Sequence, residues 1–354
     1  MKILQVMAGA EHGGAETAFV DMCLALHEAG ETIRVVTRKN DLRVPALQAA
    51  GIPVDTLLFG GRLDVFTTWR LQKIIAAFQP HIIQTWMSRA AARTPRWNAG
   101  MNIPRYLVVS RLGGYYKLKY FQSADYFTTI TPDIKRYLAE QGVRPDIIRH
   151  INNFAETEAV SAPASRADYG VPADAPLLVA LGRLHESKAF DTLIRAVAGV
   201  PGVHLWIAGE GPARAALEGL IRKEGVEHRV KLLGWRDDRA ALLQAADVCV
   251  FPSRYEPFGT VFVQAWAQQR PLIASMADGP RQFVRDGEDG LLFPVDDIDS
   301  LKEKIKSLIN NEKIAKKLAK NGYERYKAEF TKDKALREYL GWYHEIRTRE
   351  GLSD

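Results

Sequence analysis

Asp247-Val-Cys-Val-Phe-Pro-Ser253, followed closely by Glu256-Pro-Phe-Gly-Thr-Val-Phe-Val-Gln264, sets a carboxylate and a glycine just past the end of a short apolar run. Such a run reads as a strand buried in a parallel sheet. Residues 261–268 fit a helix, so Glu256 and Gly259 lie in a strand-to-helix loop, where α/β sheets bind ligands. Free amides at Gly259 and Thr260 would face a phosphate, helped by the helix dipole. Glu256 would accept hydrogen bonds from hydroxyls. Donors for phosphate and an acceptor for hydroxyls suit a nucleotide sugar, although a Pro-Phe-Gly loop alone is also ordinary turn chemistry.

A second loop of the same kind strengthens the reading. Gly182-Arg-Leu-His-Glu-Ser-Lys188-Ala-Phe-Asp-Thr-Leu193 follows the apolar run at 177–181 and precedes a helix expected near 191–197. Arg183 offers a planar fork and Lys188 a point charge, a pair able to hold a diphosphate. A solvated loop with a helix-capping Asp191 is the plainer alternative.

With these two loops the chain resembles the GT-B fold retaining glycosyltransferases of the large bacterial family 4 type, which includes lipopolysaccharide-core and other glycan-assembly transferases. Gly182, Arg183, Leu184 and Lys188 match the family's Gly-Arg-Leu...Lys-Gly loop, with Ala189 where glycine is usual. Gly209-Glu-Gly-Pro212 and Gly13-Gly-Ala-Glu16 match two further turns. Glu256 matches the first acid of the Glu-x7-Glu signature, whereas Gln264 stands at the second and Gln282 where Glu is frequent.

The resemblance implies two Rossmann-like domains facing across a cleft: an acceptor-side domain at 1–155, a nucleotide-sugar domain at 156–334, and a final helix at 335–354 crossing back. It implies transfer of a hexose from a nucleoside-diphosphate sugar to a glycan or glycolipid, with retention of configuration. Arg183, Lys188 and Glu256 are the expected catalytic residues. Gly13, Gly14, Gly182, Gly209, Pro257, Phe258, Gly259, Thr260 and Gln264 are expected to bind the donor. No cofactor or metal is expected; Asp297-Ile-Asp299 reads as helix capping.

The strand and helix pattern agrees with an α/β chain. Strands are expected at 2–7, 32–37, 81–84, 106–110 and 126–130. A small, polar, Pro-bearing link at 156–165 precedes a second series near 177–181, 203–208, 230–233, 248–251, 272–274 and 291–293. From 300 to 349 the pattern is helical and Lys-rich. Leu301, Ile305, Leu308, Ile309, Ile314 and Leu318 form its apolar stripe, and residues 336–346 are the candidate for the crossing helix.

Hydrophobic residues make up 47% and charged residues 25% of the 354, ordinary values for globular proteins. No run reaches the ~20 apolar residues of a membrane span, and Cys23 and Cys249 read as buried thiols of a reducing compartment. A cytoplasmic location follows. The net charge of +6 is unevenly spread: no Asp or Glu lies between Asp64 and Asp125, a stretch that holds Arg89, Arg93, Arg96, Lys117 and Lys119 among aromatics such as Trp86. These six are expected to meet the acceptor or an anionic membrane surface on the inner face of the cell membrane. Acids from elsewhere folding over the stretch is the alternative. Nucleic acid is not expected, since no reading module accompanies the charge.

Three other readings stay open. Arg38, after the second strand, would suit a ribose phosphate in an NADP enzyme, but the Gly-x-Gly-x-x-Gly order is missing. A nucleotide-sugar 2-epimerase shares the fold. A binding protein that has lost catalysis would explain Gln264. His12 and His185 could touch phosphate but read more simply as surface residues, and Glu16 as first-turn helix charge.

Overall fold

The computed structural model describes residues 1–11, 13–61, 64–155 and 160–352. His12 and residues 156–159 of the expected link lie outside the described residues. The chain forms two compact units, Met1–Phe154 with Lys332–Asp354, and Ala155–Thr331.

The first unit is built on a seven-stranded sheet: β1 Lys2–Met7, β2 Thr32–Thr37, β3 Val54–Thr56, β4 Ile82–Trp86, β5 Leu107–Leu112, β6 Tyr126–Thr129 and β7 Ile148–His150. Its order is β3-β2-β1-β4-β5-β6-β7, with every pair parallel. The strands β3 and β7 were not expected. Each has three residues at a sheet edge, and Val-Asp-Thr carries no apolar run for a pattern to find.

The second unit has six strands: β8 Leu177–Leu181, β9 His204–Ala208, β10 Val230–Gly234, β11 Val248–Phe251, β12 Leu272–Ser275 and β13 Leu291–Phe293. Its order is β10-β9-β8-β11-β12-β13, again all parallel. Every residue of β8, β11 and β12 is buried, because helices cover both faces of a parallel sheet. That is why these strands are uniformly apolar instead of alternating. In each sheet the order reverses once, between β1 and β4 and between β8 and β11, and these are the switch points where loops part and leave a crevice. Two parallel Rossmann-like α/β units are thus present.

The helical tail is three helices, Ile298–Ile309, Glu312–Glu329 and Lys332–Arg349. Asp297 and Asn311 cap the first two, accepting from the amides of Ser300 (2.9 Å) and Ile314 (3.1 Å). Ile314, expected in the apolar stripe, sits in the first turn and is exposed, whereas Leu301, Ile305, Leu308 and Leu318 are buried. The final helix belongs to the first unit. Ala335, Tyr339, Trp342, Tyr343 and Ile346 pack into one cluster with Phe19, Met22, Cys23 and Trp86. Tyr343 donates to Gln84 in β4, and Lys332 pairs with Glu28 at 2.9 Å.

In the second unit the helix Glu312–Glu329 closes against the helix Thr260–Ala267 at Gly322. A Cβ there would lie 2.2 Å from Cδ1 of Trp266, whose ring is fully buried and tied by Nε1 to the Asp289 carbonyl at 2.9 Å. Ala normally stabilises a helix over Gly by about 1 kcal/mol. Gly322→Ala is expected to do the opposite, lowering stability by about 1–3 kcal/mol through overpacking. Urea unfolding of the two proteins reads the sign directly.

Candidate functional site

The loops after β8, β9, β11 and β12 gather at the switch point of the second unit, and glycines make the gathering possible. Gly209 has φ 153°, and a Cβ on it would stand 1.9 Å from the carbonyl oxygen of Gly182. No side chain fits there, so the loops zip together: Gly182 N donates to Ala208 O (3.0 Å) and Leu184 N to Glu210 O (2.9 Å). On the other side, the carbonyl of Ser187 accepts from Arg254 N at 2.8 Å, joining the β8 loop to the β11 loop. The carbonyl of Glu256 accepts from Gly279 N at 2.7 Å, adding the β12 loop.

Onto this frame the chain places its charged groups. Lys188 and Glu256, 68 positions apart, form an ion pair. Lys188 also lies 5.7 Å from the ring centroid of Phe251. Among the described residues, the exposed guanidinium of Arg183 has no hydrogen-bond or ion-pair partner. Ala189 holds the left-handed conformation (φ 51°) and is fully buried, which explains why glycine is usual at this position in the family.

Gly259 (φ 94°) is the N-cap of the helix Thr260–Ala267, and a Cβ on it would meet Phe251 at 2.5 Å. The first turn of that helix carries no acid, so the amide end keeps its positive character. Gln264 lies one turn beyond Thr260, on the same face. It is 5% exposed, and no side-chain partner is found for it among the described residues. Pro257 and Thr260 are half-buried beside it. Phe258 is corrected by the structure: its side chain is core, 2% exposed and packed on Phe262, Phe283 and Phe330, so only its backbone faces the loop. Its bulk anchors the Glu256 loop from behind.

Two matches cover the chain: the description Glycosyltransferase Family 4 over residues 12–159, and Glycosyl transferases group 1 over 161–325. The lipopolysaccharide core biosynthesis glycosyltransferase LpsE of Rhizobium meliloti is 33% identical over 96% of this chain and 98% of its own length. This chain belongs to the same glycosyltransferase family. LpsD of that organism is 32% identical over 96% of the chain and 97% of LpsD. In fold, the glycosyltransferase resembles HepE of Anabaena, solved in complex with UDP, with TM-score 0.84, 21% identity and coverage of 98% and 100%. The GT-B architecture is therefore that of this chain.

In the first unit, Gly13 and Gly14 are exposed at the turn after β1, at the head of the helix Gly14–Glu28. Glu16 turns back on that turn and accepts from Ala10 N at 2.6 Å, a structural use of its charge. Trp86, expected at an acceptor or membrane surface, is fully buried. Its indole donates to Gln5 at 2.7 Å and meets Phe19 edge-on, because β4 sits mid-sheet with both faces covered. Arg96 is also spent, paired with Asp125 at 2.7 Å. Arg105 pairs with Glu350, so two arginines of the stretch that lacks acids in sequence meet acids in space, while the buried Arg111 bonds the neutral amide of Asn153. Arg89, Lys117 and Lys119 remain exposed, and Arg93 binds the carbonyl of Gly61.

Sequence reasoning missed Arg254. Its guanidinium bonds Asp191 (2.8 Å), Asp296 (2.8 Å) and the carbonyl of Glu186 (2.7 Å), bracing the Lys188 loop from below. Nothing in the sequence separates it from other loop arginines, since its partners are 63 and 42 positions away. Burial alone would raise the carboxyls of Asp191 and Asp296, but Arg254 outweighs it and holds both below the ordinary 3.8. Carboxylates depressed in this way stabilise the fold fully above about pH 4, and the contribution fades as pH falls through their folded values. Arg254→Met is expected to cost about 1–2 kcal/mol at pH 7, given that solvent screens the half-exposed acids. The gap between parent and variant should narrow below about pH 4 in urea melts taken across pH.

Proposed function

We propose that this glycosyltransferase moves a hexose, with retention of configuration, from a nucleoside-diphosphate sugar to a glycan or glycolipid acceptor during assembly of a lipopolysaccharide core or a similar surface polysaccharide. The observation that carries the reading is that the loop after β8 holds both Arg183, without a partner among the described residues, and Lys188, which pairs with Glu256 of the β11 loop at the switch point. LpsE and LpsD, similar along nearly their whole length, are transferases of lipopolysaccharide core biosynthesis, and HepE binds UDP.

Breaking the anomeric C–O bond leaves its electron pair on the departing diphosphate. Arg183, Lys188 and the amides of Gly259 and Thr260 oppose that charge, more strongly in the transition state than before it. The acceptor hydroxyl attacks from the face the phosphate leaves, and its proton passes to a phosphate oxygen. No protein nucleophile or metal is called on. Lys188 has three donors, so it can keep Glu256 and still reach a phosphate. Glu256 then orients the sugar through its hydroxyls, and Gln264 takes the nucleotide ribose with an amide in place of an acid.

The reading extends to a location at the inner face of an anionic membrane. Leu58 (81% exposed), Val65, Phe66 and Trp69 crowd around the start of the helix Val65–Phe78, with Lys73 over the Trp69 ring at 3.8 Å. Apolar side chains flanked by cations suit a charged bilayer. Among the described residues no helix is long and apolar enough to cross one.

Arg183→Ala and Lys188→Ala are each expected to lower release of UDP from a UDP-sugar and acceptor by at least ~100-fold, the scale of removing one oxyanion donor. Circular dichroism should show an unchanged fold, and turnover within threefold of the parent would remove the assignment. Binding to phosphatidylglycerol vesicles is expected to weaken as salt rises, and to drop further in Phe66→Ser/Trp69→Ser. Equal binding to neutral and anionic vesicles would refute the membrane reading.

A further inference from the structure

At the carboxyl end of the first unit's sheet, two arginines converge on one backbone carbonyl. Arg38, just after β2, donates to the carbonyls of Leu58 (2.9 Å) and Phe59 (2.6 Å). Arg89 reaches the same Phe59 carbonyl at 3.5 Å. Phe59 is fully buried and left-handed, φ 44°, a conformation that bulky residues rarely hold. The loop keeps it there through Thr67, whose Oγ1 accepts from Phe59 N at 3.1 Å. Burial, and then the nearby Arg89, lower the Arg38 guanidinium from its ordinary value.

Arg38 and Lys39 also line a cavity of about 450 Å³ beneath the turn after β1. Arg43 forms part of its lining, buried and tied to Thr37 and to the Ala10 carbonyl. Two carboxylates, Glu11 and Asp41, line it as well. Cations beside carboxylates in one cavity are a mixed set: guanidinium forks for an anionic substituent and acceptors for hydroxyls.

We propose that this cavity, with Arg38 and Lys39 in its wall and Arg89 beside Arg38, binds a sugar bearing an anionic group, a phosphate or a carboxylate. On the transferase reading that sugar is the acceptor or its neighbouring unit, so the acceptor is an acidic glycan. The guanidinium forks grip the anion, and Asp41 accepts from a ring hydroxyl. A bare phosphate would be repelled by the carboxylates in the wall, which is why the cavity suits a sugar better than an ion.

Calorimetry with glucose 6-phosphate, glucuronate, glucose and inorganic phosphate on UDP-saturated protein tests this. Glucose 6-phosphate and glucuronate should each bind at least tenfold more tightly than glucose, and glucose 6-phosphate more tightly than inorganic phosphate. Arg89→Gln and Lys39→Gln should each weaken binding several-fold and Arg38→Gln about tenfold, the scale of one charge-assisted contact, with UDP affinity within twofold. Lys39 is exposed, so its variant reports binding even if Arg38→Gln disturbs the loop. Lys188→Ala should lose UDP yet keep glucose 6-phosphate, which separates this site from the donor reading. The proposal is overturned if no anionic sugar binds, if the variants bind as the parent does, or if inorganic phosphate binds as tightly. Displacement of glucose 6-phosphate by phosphatidylglycerol vesicles through the same arginines would likewise overturn it, assigning the cations to lipid headgroups.

Discussion

The site of the second unit rests on one contact, the approach of the Gly209 α-carbon to the Gly182 carbonyl, where a Cβ would fall 1.9 Å away. Close-packed interiors have no slack to absorb such a clash. Any side chain at 209 would force apart the loops after β8 and β9 and break the pairing of Leu184 with Glu210. Arg183 and Lys188 are carried by the first of these loops, so their positions follow from that contact. The backbone bonds of Arg254 and Gly279 then bring the β11 and β12 loops to the same point.

Electrostatics explains why Lys188 and Glu256 belong together. On the proposed donor-binding role, the carboxylate would sit close to a diphosphate, and two anions in a partly dehydrated crevice repel strongly. Lys188 bound to Glu256 would remove that repulsion while keeping donors for the phosphate. The pair is only 22% and 15% exposed at its side chains, so solvent would do little of this screening. An ammonium suits the place better than a guanidinium, because its donors rotate while a fork would be fixed on one partner.

Much of this was legible in the chain. Strands such as Leu177–Leu181 and Val248–Phe251 are continuous apolar runs ended by Gly or Pro-Ser, and burial on both faces leaves no other pattern for them. The loops at 182–188 and 256–260 could be placed past strand ends because the Gly, Pro and Ser that end those strands are local signals. Edge strands of three residues could not, since pairing and not sequence defines them. Trp86 and Phe258 look like surface or ligand residues in a list of motifs, and only packing shows them to be core. Arg254 and the acids that neutralise Arg96 and Arg105 depend on contacts across long sequence separations, which a single sequence does not carry.

The arginines divide by what holds them. Arg34, Arg96 and Arg254 lie on carboxylates, which neutralise the charge and leave it a structural role. Arg38 and Arg89 lie on carbonyls, which fix the guanidinium while leaving its charge for another anion. Carbonyl support alone is not enough, as Arg229 shows. It donates to Val197, Ala198, Val200 and Val203, closing the carboxyl end of the helix Phe190–Ala198, and at 8% exposure it has little surface left for a ligand. Its charge is met by the helix dipole. What sets Arg38 apart is carbonyl support together with a wall of an open cavity. On the two proposals, much of the net charge of +6 is positive charge reserved for anions: Arg183 in the second unit, and Arg38, Lys39 and Arg89 in the first.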